Sequence, residues 1–259
     1  MDRLDPSLAD PMPENNPEYW TSKWNFIDVI LISITTIIVV LVGAWGIGFL
    51  FQLPANISSG LPLVYTAGLT ALEALAIFIG VFIFGIQRKQ MTWKDIGLRP
   101  SNPVWITLAV LTAIILIPLI GIVATWIQIA LGQPVGNPQL AFLVPDKVNW
   151  VGILGMILFG GVVVPIAEEI YFRGLLYQWM RKFLKVWVAI PLSSLIFGLL
   201  HGDIAVAGAT FIIGLILAWF YERSHSLYAS IAIHIVNNTF SLVLLYALLV
   251  TGVQFPPTV

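Results

Sequence analysis

Cysteine is absent from the 259 residues, which excludes disulfides, thiolate metal sites and a cysteine nucleophile. Charge is scarce: 10% of the chain is Asp, Glu, Lys or Arg, against about 25% in a soluble domain. The net charge is −1, so nucleic acid is not an expected partner. No His-Glu-x-x-His occurs, so a helix-borne zinc protease motif is missing. No Gly-x-Ser-Gly occurs; Ser193-Ser194 follows Pro191-Leu192 instead. No Gly-x-Gly-Asp occurs either, only Gly202-Asp203. Serine and aspartate chemistry inside a membrane are both disfavoured by these absences.

What is present is hydrocarbon. The chain is 59% hydrophobic, with 10 Trp and 15 Phe suited to interfacial belts and lipid-facing surfaces. A bilayer core of about 30 Å needs about 20 apolar residues per helix. Seven spans are predicted: about 25–51, 61–86, 104–132, 149–180, 186–201, 205–221 and 227–251. The fold class is an all-α polytopic membrane bundle with an intramembrane cavity. The expected domains are a polar tail over 1–24 and one transmembrane domain over 25–259, with its core at about 149–251. The acidic, proline-rich start does not read as a signal peptide, and the first apolar run is expected to stay as an anchor. Within the fourth span, Pro165 predicts a kink or break, because proline removes a backbone donor.

The basic residues are lopsided. Of the 12 lysines and arginines, ten fall in segments that share one side if the N-terminus is inside. Arg173 is within a span, and Lys147 is alone on the other side. The N-terminus is therefore expected in the cytoplasm and the C-terminus outside, in the cytoplasmic (inner) membrane or an equivalent internal one.

Three polar clusters interrupt the apolar spans, where ionisable groups are expensive and mark function. Glu168 and Glu169 are adjacent, and Glu169 is four residues before Arg173, hence on one helix face with it. An ion pair there leaves Glu168, turned about 100° away, as the reactive carboxylate. Phe197 precedes His201 by one helical turn and can pack against the imidazole. His234 and Asn238 also share a face and can aim N–H donors at one point, as an oxyanion hole requires. The same imidazole could ligate a metal. At 1.5 Å per residue, Glu168 lies roughly 20 Å, His201 roughly 21 Å, and His234 and Asn238 roughly 10–17 Å from the basic side. Three spans thus carry polar groups to similar depth.

Other polar groups have simpler expected roles. Glu73 either bonds a polar group of the core, the preferred expectation, or lines the cavity, and it stays outside the catalytic set. Asp28 can reach the interface. Asp203, beside His201, could orient it, although neighbouring helical residues face apart. His225 is expected to be solvated.

Taken in order, Glu168-Glu169…Arg173, Phe197…His201 and His234…Asn238 resemble the EExxxR, FxxxH and HxxxN pattern of the CPBP intramembrane proteases. That family is also called Abi and includes the CaaX prenyl endopeptidases. The resemblance covers about 165–240 and extends to Trp93-Lys94-Asp95-Ile96-Gly97-Leu98-Arg99, similar to the basic stretch before that core. It implies a glutamate-dependent endopeptidase acting on a membrane-associated peptide or protein, CaaX-type substrates included. It also implies that Glu168 and His201 activate water, and that His234 and Asn238 hold the oxyanion. Glu169 joins the catalytic set, with Arg173 and Phe197 supporting. On the residues alone a second scheme stays open: Glu168, His201 and His234 as three ligands of a divalent metal such as zinc. Two other classes also stay open, an idle membrane scaffold or immunity-type protein that binds a partner, and a transporter or proton relay.

Overall fold

The computed structural model describes residues 23–50, 62–136, 143–144 and 149–253. The tail expected over 1–24 falls almost wholly outside them, as does Lys147. All regular structure among the described residues is helical. Seven rods follow in order: α1 (Phe26–Leu50), α2 (Leu63–Gln87), α3 (Pro103–Ala130), α4 (Trp150–Arg181), α5 (Val186–Leu199), α6 (Ile204–Ser224) and α7 (Leu227–Val250). Six of these are long and apolar enough to cross a membrane. The seventh, α5, has 14 residues and reaches roughly 21 Å, short of a full hydrocarbon core. Large apolar side chains such as Trp45, Phe49, Trp126 and Val151 are mostly exposed along the rods. An apolar exterior of that kind belongs against lipid, and the chain is an integral membrane protein.

Local sequence sets the helix starts. Asn102 caps α3, its side-chain oxygen accepting from the Val104 N–H at 3.0 Å, with Pro103 at the first helical position. Asn149 caps α4 through the Val151 and Gly152 N–H groups. Asp203 caps α6 by accepting from Ala205 and Val206, so its carboxylate holds a helix end and does not orient His201. Helix α6 runs three residues past its expected end at 221, because the charge that would stop it is neutralised. Glu222 accepts from Arg181 Nε at 3.1 Å and from the Tyr177 hydroxyl at 2.6 Å.

Of the kink or break expected at Pro165, the break does not occur. Helix α4 is continuous for 32 residues, and the strain is taken up in two wide-turn π segments, Phe159–Val163 and Ile170–Tyr177. Proline at 165 cannot donate to the carbonyls of Gly160 or Gly161. Both are served from α7 instead. The Thr239 hydroxyl donates to Gly161 O at 3.0 Å, and the Asn238 amide to Gly160 O at 3.4 Å. A Cβ at Gly161 would meet Thr239 Oγ1 at 2.8 Å, so the glycine permits the approach that repairs the backbone. Thr239→Val, which leaves the Gly161 carbonyl unpaired, is expected to cost about 1–3 kcal/mol. Ser241→Ala, whose hydroxyl returns to its own helix at Asn237 O, should cost under about 0.5 kcal/mol. Thermal unfolding in detergent compares the two.

The basic segments gather at one end of the bundle. Lys89 and Arg88 pair with Asp28 at 2.6 and 3.4 Å; Asp28 is fully buried there rather than reaching an interface. Lys182 donates to Trp24 O. The stretch 92–99 docks on the turn between α6 and α7. Leu227 N–H donates to Gly97 O, the Ser226 hydroxyl to Arg99 O, and Arg99 Nε to His225 O. Gly97 has φ +99, and a Cβ there would lie 2.7 Å from the Tyr221 ring, so the turn needs glycine. His225 ends α6 in the left-handed region, φ 50. It is partly buried rather than solvated, and burial holds its imidazole below the usual histidine range.

Candidate active site

The second half of α4, the end of α5 and the first half of α7 converge. Glu169 is fully buried, and Arg173 Nη1 donates to its Oε1 at 2.7 Å, the i,i+4 pair that the spacing predicts. The guanidinium is held from two further sides. Its Nη2 donates to Gly214 O on α6 at 3.2 Å, and its Cζ lies 4.5 Å from the Phe197 ring centroid.

His234 stands between the two glutamates. Its Nδ1 is 2.9 Å from Glu169 Oε1, and its Nε2 is 3.4 Å from Glu168 Oε2. Arg173 beside Glu169 and the His234 ring between the two carboxylates give the buried glutamates their polar partners. The Glu168 side chain keeps 14% exposure while that of Glu169 keeps none. Glu168 is therefore the carboxylate that faces open space.

His201 lies at the end of α5, its Nδ1 2.9 Å from Phe197 O. Its ring packs edge-on to Phe197 at 5.1 Å, and Phe197 packs edge-on to His234 at 5.7 Å. Phe197 is fully buried and so separates and orients the two imidazoles as well as covering Arg173. The histidine in direct contact with Glu168 is His234, while His201 lines the same cavity. Asn237 donates to Asn238 Oδ1 at 3.2 Å and so holds its neighbour's side chain rather than backbone.

Glu168, Phe197, His201, His234 and Asn238 all line one cavity of about 790 Å³, within the usual size of a ligand site. Glu73 lines it too, from α2, close enough to Glu168 for the two carboxylates to interact. Among the described residues no side chain bonds or pairs with Glu73, so it is a cavity group and not the core-bonded residue expected above. Its position between Leu72 and Ala74 in an apolar span was the available signal. Among the described residues no group of three or more His, Asp or Glu side chains is placed to hold an ion. His234 is committed to both glutamates, and His201, held through Nδ1 with Nε2 left open, lies beyond Phe197 from it, so the three candidate ligands Glu168, His201 and His234 do not meet as a ligand set.

Residues 150–240 match the family described as type II CAAX prenyl endopeptidase Rce1-like, a stretch that contains all three motifs. The chain is also 30% identical over 89 residues to the "Putative membrane peptidase YdiL" of Bacillus subtilis (strain 168). That alignment covers 34% of this chain and spans 36% of the relative's length. No solved structure matches.

Proposed function

We propose that the CaaX-endopeptidase-like core of this integral membrane protein hydrolyses a peptide bond in a membrane-associated protein or peptide. One observation carries the reading: Glu168, backed by His234, opens with His201 and Asn238 onto one cavity inside an apolar bundle. The reading treats 25–259 as one transmembrane domain of a cytoplasmic or equivalent internal membrane, with the lipid bilayer its other partner.

A water between Glu168 and His201 is polarised by both. Glu168 takes its proton as general base while the oxygen attacks the scissile carbonyl. As Glu168 becomes protonated, its claim on His234 Nε2–H weakens. That donor and the Asn238 amide then serve the developing oxyanion. Glu168 returns the proton to the departing nitrogen and the C–N bond breaks. Glu169 and Arg173 keep the His234 ring aimed throughout, and Phe197 supports both histidines.

Removing one oxyanion donor costs about 2.7–4 kcal/mol of barrier. Asn238→Ala should accordingly slow turnover by orders of magnitude. Its amide also serves Gly160 O at 3.4 Å and accepts from Asn237, so a stability loss of about 1–3 kcal/mol should accompany the change while membrane insertion is kept. Turnover equal to the native chain would remove the role.

The substrate can be found without guessing it. Membranes with the native chain and with Glu168→Gln, at matched expression, are compared for new peptide termini by mass spectrometry. Termini found only with the native chain establish proteolysis and name the substrate. Identical maps from two inserted, folded proteins sink the peptidase reading in favour of an idle scaffold, whose partner cross-linking would then identify.

A further inference from the structure

The cavity and the basic cluster lie toward opposite ends of the bundle. Helices α3 and α7 start at the basic end, while α2, α4 and α6 finish there, as the contacts of 92–99, Arg181 and Ser226 show. On α3 the cavity is lined from Ile117 to Gln128, and it continues to Val135 and Gly136 in the turn beyond. On α4 it is lined by Met156, Gly160, Val164 and Glu168, and on α2 by Thr70 and Glu73. At 1.5 Å per residue, the lining of α2, α3 and α4 stays roughly 20 Å or more from the basic end. On α6 and α7 it stays at least roughly 10 Å away.

The space toward the basic end is filled. Leu175, Tyr177, Leu217, Leu227 and Ile96 are fully buried there, and Tyr221 retains 1% exposure. The plug is tied by the Tyr221 hydroxyl donating to Ile96 O at 3.2 Å and by Gln178 donating to Asp95 O at 3.1 Å. Directly above it sit Arg173 and Glu169, also buried. The far end is different: the lining runs on into Val135 and Gly136 beyond α3, and Val135 is 57% exposed there. Basic segments stay in the cytoplasm, which puts the plugged end there and the open end outside.

We propose that the cavity takes its substrate from the extracytoplasmic face, as a peptide segment exposed on that side of the membrane. The inference rests on the peptidase reading for the word substrate, but the route does not. The lining adds a charge preference. Glu73 and Glu168 face the cavity, and among the described residues that line it none is lysine or arginine. With two carboxylates facing in, a neutral or basic segment is favoured over an acidic one.

The absence of cysteine makes the test clean. Single-cysteine forms of the full chain are expressed in cells and exposed to a cationic, membrane-impermeant thiosulfonate. Val135→Cys reports the mouth, and Thr70→Cys, one turn from Glu73, and Ser241→Cys report the interior. Lys94→Cys and Lys185→Cys report the basic end. The first three are expected to react in intact cells, and the last two only in inverted vesicles. Reaction of Thr70→Cys from the Lys94 side, or from neither side, overturns the proposal. So does reaction of Lys94→Cys in intact cells. Labelling needs no turnover, so a failed route and a failed peptidase give different results. Where native-dependent termini exist, they should map to extracytoplasmic segments, and termini confined to cytoplasmic segments also overturn it.

Discussion

Glu168→Gln should reduce turnover about 10²–10⁴-fold, the range general base catalysis contributes, while leaving the fold in place. The amide matches the carboxylate in size and can still meet His234 Nε2, now 3.4 Å from Oε2, but it cannot accept the proton of an attacking water. The carboxylate is the cavity-facing member of the pair and carries no arginine, so its loss removes less packing energy than the loss of Glu169 would. The comparison to make is rate against thermal midpoint in the same preparation. A collapse of rate at an unchanged midpoint assigns chemistry to Glu168. Equal rates would move the base elsewhere, with Glu73, the other carboxylate on the same cavity, the next residue to replace.

Arg173→Ala should have the largest effect on stability. Breaking a buried pair strands the partner charge and costs about 3–5 kcal/mol. Here the stranded group is Glu169, fully buried and 2.7 Å from the lost nitrogen. The bond to Gly214 O and the contact over Phe197 go as well. For a chain of this size the thermal midpoint should fall by on the order of 10 °C. The double variant Glu169→Leu with Arg173→Met removes both charges, and the Oε1 acceptor with them. It should recover much of that loss, since apolar replacement of a buried pair is often neutral. Activity should not recover with it, because Glu169 Oε1 also orients His234 Nδ1. Recovery of both, or a single variant as stable as the native chain, would contradict the framing role given to this pair.

The two variants probe different kinds of information. The Glu169–Arg173 pair is readable from spacing alone, because two residues four apart on a helix meet whatever the rest of the fold does. The same holds for Phe197 beneath His201 and for the caps at Asn102, Asn149 and Asp203. Long apolar runs likewise specify spans, since a buried backbone in lipid must satisfy itself by forming helix. The run from 186 was legible as short for the same reason.

Contacts between helices depend on how each rod is rotated about its axis, and no periodicity within one rod states that. The two histidines of the motifs are alike in sequence, each four residues from a partner. Only the packing of α7 against α4 puts His234, rather than His201, between the glutamates. Pro165 announced a lost donor, but the repair came from Thr239 and Asn238, more than seventy residues on. Glu73 was legible as an expensive group in an apolar helix, and its direction into the cavity was not. By itself the sequence determined an all-helical membrane bundle, three polar clusters at shared depth and one basic end. The tertiary structure decided which histidine serves which carboxylate, how the kink is healed and which end of the cavity is closed, because each of these is set by distances between rods that the chain meets only once they pack.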